Sequence, residues 1–223
     1  MSTVSELRIQ ASEALRRGDR NAAIKAANEM IRDHGDNVQA IAASADVYLR
    51  AGKPSEAVEQ FDRFIEQEPD QMPYLWQRGI GLFFIGEYDK AADQFAKHRV
   101  VNPNDVENAA WHFLCIAKAQ TPEKAKAMVL PAPGDRREPM DEVLAMLSTG
   151  DVASVQSRMD AVAKLSPGSR DAEDARFYGE LYLGLYADAV GNKDKAIKHL
   201  RAAAKDAPRD YMGDVARVYA ESL

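Results

Sequence analysis

Apolar residues recur along this chain at spacings of three and four, which lines one face of an α-helix, and polar breaks interrupt them at nearly regular intervals. Within residues 38–71, Ile41, Ala45, Tyr48 and Leu49 fall on one helical face. Ala51-Gly-Lys-Pro54 breaks that pattern, and Ser55 is a candidate cap for a second helix carrying Ala57, Val58, Phe61, Phe64 and Ile65. Pro69 stops this helix, since a proline offers no N–H and pushes the preceding residue out of the α region.

The helix–turn–helix pattern then repeats. Gly18, Gly52 and Gly86 are 34 residues apart, and Ala23, Ala57 and Ala91 keep the same step, as do Phe61 and Phe95 and the pair Pro69 and Pro103. Out of phase, Gly191, Ala196, Leu200 and Pro208 reproduce the internal offsets of Gly86, Ala91, Phe95 and Pro103. Ala45, Gly79 and Gly184 occupy equivalent places, where small side chains let paired helices approach closely. The recurrent glycine predicts a positive φ at each inter-helix turn, where alanine costs about 1 kcal/mol. These offsets divide a single helical-repeat domain into units at 4–37, 38–71 and 72–105, an irregular insert at 106–176, a unit at 177–210 and a capping helix at 211–223. The first unit is a weaker copy, with Ala14 and Ala27 in place of Tyr48 and Phe61, as expected of a terminal repeat. Inside the insert, Val106 to Lys118 reads as a helix with Trp111, Leu114 and Cys115 inward. Thr121-Pro122 starts a short helix to Leu130, residues 131–139 form a loop, Met140 to Leu147 is helical up to Gly150, and Asp151 caps a helix to Leu165.

A helical-pair period of 34 residues is that of the tetratricopeptide repeat, and the chain resembles that family over residues 4–103 and 177–210. The resemblance implies an all-α, right-handed superhelix of antiparallel helix pairs. Its concave face, lined by the first helix of each unit, would receive a peptide or protein segment, so it implies a non-catalytic scaffold or adaptor. Trp76-Gln-Arg-Gly-Ile80, the run from Val101 to Cys115 and the ending Tyr211-Met-Gly-Asp-Val-Ala-Arg217 are similar to exported bacterial members of the family. The order of units also resembles an outer-membrane adaptor lipoprotein within it, a dimer that presents cell-wall hydrolases to a protease. No lipid-attachment cysteine stands near the start of this sequence, so anchoring does not carry over. Chaperone-binding members grip a C-terminal carboxylate with Lys, Arg and Asn on successive first helices. The matching positions are Arg8, Ser12, Ala43, Pro73 and Gln77, of which only Arg8 fits.

Composition narrows the partners. Lys plus Arg number 29 against 35 Asp plus Glu, a formal charge of −6 with no basic block beyond Arg136-Arg137, which argues against a nucleic-acid partner. Cys115 stands alone, so neither an internal disulfide nor a cysteine-rich metal site is expected. The start lacks a basic stretch followed by an apolar one, and the apolar runs are too short to span a bilayer. A soluble protein is expected, either cytoplasmic or periplasmic after removal of an export signal.

The candidate chemistry is that of recognition. The groove positions of the first three units are Arg8, Ser12, Gln39, Ala42, Asp46, Trp76, Gln77, Ile80 and Phe83. Among them Arg8, Gln39, Asp46, Trp76, Gln77, Ile80 and Phe83 are the candidate partner contacts, with Trp76, Ile80 and Phe83 as apolar anchors. Tyr74 to Phe84 is apolar nearly all round, which equally fits a helix covered by the insert or the fourth unit, or one forming a homodimer seam. His112 and Cys115 share a helix face at i, i+3, a permissible metal spacing, but no third ligand is near, so a buried thiol and a hydrogen-bonded histidine are the simpler reading. His98, close to Asp105 and Glu107, suggests a local contact or a pH-sensitive pair. Glu56, Glu59 and Asp62 read as solvated outer positions. No nucleophile, phosphate-loop, dinucleotide or zinc-protease motif occurs, and no catalytic residue or cofactor is expected.

Overall fold

A computed structural model of the protein describes residues 2–223, and no strand occurs among them. Four helix pairs have the repeat organisation: α1 (Val4–Arg17) with α2 (Arg20–His34), α3 (Val38–Arg50) with α4 (Pro54–Gln67), α5 (Trp76–Phe84) with α6 (Tyr88–Val101), and, after the insert, α11 (Arg170–Ala189) with α12 (Lys193–Lys205). The insert contains α7 (Val106–Ala119), α8 (Pro122–Ala127), α9 (Met140–Thr149) and α10 (Val152–Leu165), and α13 (Tyr211–Ser222) ends the fold.

Local chemistry sets the boundaries. Thr3 and Glu6 form a capping box at α1, Asp19 and Asn37 cap α2 and α3, and Asp151 caps α10. Ser55 does not cap α4: Pro54 already occupies its first turn, where the missing N–H is harmless, and Lys53 stands at the cap without a side-chain bond. The inter-helix glycines Gly18, Gly52, Gly86 and Gly191 all have φ between 76° and 82°, the left-handed turn expected of them. Ahead of α5 the Pro69–Tyr74 stretch is wound as a tight 3-10 segment, so the α-helix begins only at Trp76. α8 stops at Ala127, short of Leu130, and leaves Met128 exposed.

Close helix packing follows the small positions. A Cβ on Gly79 would stand 2.7 Å from the Phe95 ring, and one on Gly184 would stand 2.6 Å from Leu200, so each glycine admits an apolar side chain of its partner helix. Ala45, Ala57, Ala91 and Ala196 are fully buried at the equivalent contacts.

The centre of the molecule is α7, which packs on α5, α6, α8, α9 and α11. Eleven of its residues are buried, including Trp111, Phe113, Leu114 and Cys115. The insert therefore supplies the helix around which the repeats close. α13 completes the closure by packing on α12 and, across the fold, on α3. Its Tyr219 ring meets Phe83 at 5.5 Å, Phe84 at 5.7 Å and Trp111 at 5.8 Å, and the Tyr219 hydroxyl donates to Asp188 on α11 at 2.7 Å. Each such aromatic pair adds about 0.5–1.5 kcal/mol beyond the area it buries.

A candidate partner-binding groove

The first helices of the first three units leave an open groove of about 830 Å³ along α1, α3 and the start of α5. Polar side chains on its walls include Arg8 and Ser12 from α1, Gln39 and Asp46 from α3, and Gln77 from α5. They arrive there because i, i+3 and i+4 steps repeat on one face of each helix while the opposite face, Leu7, Ala11, Ile41 and Ala45, is buried. Ala42, Ala43 and the 57% exposed Ile9 give the groove an apolar strip. Four of the seven expected contacts, Arg8, Gln39, Asp46 and Gln77, thus come together on one surface.

The other three do not. Ile80 is fully buried and Phe83 is 6% exposed, so both belong to the core and correct the expectation of an aromatic groove wall. Trp76 is half-buried, with Tyr211 packed edge-on against it at 4.8 Å, and it does not line the groove. The reason is α13: Tyr211 and Tyr219 cover this stretch of α5, while α7 presents Trp111 from behind. Of the two expected covers, the insert takes part through Trp111 of α7, and the capping helix rather than the fourth unit completes it.

Two features at this site were not picked out from the sequence, Arg50 on the groove wall and Tyr211 buried beside it. Arg50 follows Asp46 by one turn, a signal for a shared face, and its Nε and Nη2 donate to Asp214 of α13 at 2.9 and 2.8 Å. Its guanidinium also stands 5.2 Å over the Tyr211 ring. Burial raises the Asp46 pKa, opposed by the nearby Arg50 charge, and burial likewise lifts the Tyr211 hydroxyl well above its ordinary value. The Tyr211 hydroxyl faces Asp46 but falls short of hydrogen-bond geometry. The Gln77 Oε1 is also buried without a partner at the floor of the groove.

The remaining candidates resolve into structural roles. His98 Nδ1 lies 2.9 Å from the Pro73 carbonyl, a local contact holding the 3-10 segment against α6. His112 is buried with Nδ1 unbonded, contrary to the hydrogen-bonded ring expected, and burial lowers its pKa to about 4. Burial raises the Cys115 pKa, which keeps it a thiol. No group of three or more metal-ligating side chains occurs among the described residues. Asp62, expected to be merely solvated, receives Arg78 Nε at 2.6 Å. Asp105 and Glu107 instead belong to a cluster around Arg137, which also binds Asp135 and ties the insert loop to α7. Burial raises the Glu107 pKa against the pull of Arg137, and Tyr182 donates to this carboxylate at 2.6 Å.

Residues 14–77 match the tetratricopeptide repeat family model. Over that stretch the chain is similar to the tetratricopeptide repeat family, and α11 and α12, outside it, form a helix pair with the same small-residue and turn positions, Gly184, Gly191 and Leu200. No curated protein matches it. Among solved structures, two described as MamA align at 15% and 16% identity, covering 91% and 88% of this chain and 91% and 93% of theirs, with TM-scores of 0.48 and 0.46. A tetratricopeptide repeat protein from Parabacteroides merdae aligns at 14% identity over 97% of this chain and 98% of its own, with a TM-score of 0.49. No helix among the described residues is long and apolar enough to cross a membrane.

Proposed function

We propose that this protein is a non-catalytic adaptor that holds a peptide or protein segment in the groove of its first three units. The observation that carries this reading is the open groove itself, in which Arg8, Gln39, Asp46 and Gln77 surround an apolar strip that nothing else among the described residues covers. Hydrogen-bonding side chains of both charge signs around small apolar residues suit an extended segment, whose backbone needs donors and acceptors and whose side chains need shallow contacts. The contact set becomes Arg8, Gln39, Asp46 and Gln77 with Ile9 as the apolar anchor, and Trp76, Ile80 and Phe83 leave it. The homodimer alternative rested on an uncovered apolar α5, and α13 covers that helix within the same chain.

A photocrosslinking residue tests the assignment. Placed at Gln39 or Ala42 it should trap a discrete partner in the native host, while the same residue at Val100, 82% exposed on α6, should trap none. Equal trapping at Gln39 and Val100, or trapping at Val100 alone, removes the groove from consideration.

A further inference from the structure

A second recess, of about 270 Å³, lies where the first inter-helix turn meets the end of α3 and the C-terminal cap. Arg20, Arg50, Arg209 and Arg217 line it, against only two lining carboxylates, Asp214 and Glu221. The lining thus carries a local surplus of two positive charges on a chain whose net charge is −6. We propose that this recess binds a small, doubly charged oxyanion of the phosphate class.

Three of the arginines are oriented by the fold and retain free donors. Arg50 meets Asp214 Oδ2, Arg217 Nη1 meets Asp214 Oδ1 at 3.1 Å while its Nη2 donates to the Ala207 and Pro208 carbonyls, and Arg20 meets Glu221. Their side chains are 16%, 18% and 29% exposed, so a ligand would find them largely desolvated and fixed. A guanidinium has five N–H donors, and none of the three uses all of its own here. Arg209 makes no hydrogen bond or ion pair among the described residues. It lies over the Gly18 turn, where a Cβ would come within 3.1 Å of its Nη1. Burial lowers the Arg217 pKa, and the charges of Arg209 and Arg20 lower it further, the mutual repulsion that a bound anion would relieve.

The surplus belongs to the recess lining itself: beyond it, Asp46 stands 4.0 Å from Arg50 on the groove side, and Asp19 and Asp210, which accept the N–H groups of Ala22 and Gly213 as caps, keep their negative charge. Planar arginine forks suit tetrahedral oxyanions better than chloride, because two parallel N–H bonds can reach two oxygens. Since the four arginines come from α2, α3, the loop before α13 and α13 itself, an anion would bridge the two ends of the fold and stabilise their closure.

Titration of the full chain with inorganic phosphate at constant ionic strength tests this, read by amide NMR shifts and by thermal unfolding. The expected result is a saturable shift confined to residues 18–21, 50 and 209–217, with a rising melting temperature that chloride does not reproduce. Arg209→Gln, an exposed change that leaves the ion pairs of the fold intact, should weaken phosphate at least about tenfold, the loss of one charge-assisted contact; Arg20→Gln serves as a second variant. The proposal is overturned by stabilisation that climbs without saturating, as exclusion of a kosmotropic salt gives. It is equally overturned by saturable binding that both variants leave unchanged.

Discussion

The ring of His112 is enclosed within α7 at 5% exposure, and burial alone holds its pKa down to about 4. An unfolded histidine titrates near 6.5, so the unfolded state takes up this proton first as the pH falls. The stability tied to the neutral ring is complete above about pH 6.5 and is lost progressively towards pH 4, roughly 3 kcal/mol in all. Asp46, Glu107 and Asp214 have raised folded pKa values and work in the opposite direction, gaining relative stability as they protonate. The histidine is therefore isolated by difference: urea unfolding at pH 7 and pH 4.5 should show a smaller acid loss for His112→Leu than for the native chain. Equal acid losses would mean that the ring is not carrying the effect. The burial of His112 was legible from its place on an apolar helix. The missing Nδ1 partner was not, because a hydrogen bond depends on what the neighbouring helices present at that depth. The same holds for Phe83: helical spacing put it on the first-helix face, but the courses of α7 and of α13, the latter more than a hundred residues later, decide that the face is covered. Phe83→Ala should accordingly cost about 3–5 kcal/mol in chemical unfolding and leave phosphate titration of the arginine recess unchanged.

Within the third helix pair, two glycines serve different physical purposes, and alanine separates them. Gly86 has φ 82° and open space around it, so Gly86→Ala should cost about 1 kcal/mol of backbone strain that no second substitution can repair. Gly79 lies within α5 with ordinary helical backbone, but a Cβ there would enter the Phe95 ring. Gly79→Ala should cost about 1–3 kcal/mol, and Phe95→Leu in the same chain should recover part of it, as a cycle of melting curves would show. Failure of that rescue would place the strain outside the α5–α6 contact. The repeat period made both positions visible, because a contact recurring every 34 residues leaves the same small residue each time. The helix bounds were also close, since Pro69, Gly150 and Asp151 act locally. Ser55 was misplaced because Pro54 competes for the same helix start. The arrangement of α7 to α10 was out of reach, since no period constrains the insert and its packing rests on contacts with α11 and the Arg137 cluster.

Across the whole molecule, the second unit and the capping helix meet through Arg50 and Asp214, which are 16% and 8% exposed. Removing one partner of so enclosed a pair leaves a desolvated charge, so Asp214→Ala should cost about 3 kcal/mol, measured by urea unfolding. Its hydrogen exchange should rise in α3 as well as in α13, and exchange confined to α13 would show that the two elements do not support one another. An open array of repeats behaves as a spring whose pitch drifts under small loads, because each unit touches only its neighbours. Here Arg50 lies on the groove wall and its counter-ion lies on a helix 164 residues away, so the spring is clamped at both ends. The gap between α1 and α3 then has a fixed gauge rather than an elastic one. For the segment proposed to lie in this groove, one too wide for the gap would strain the distant clamp, so the far end of the chain would help decide the thickness of what the near end can hold.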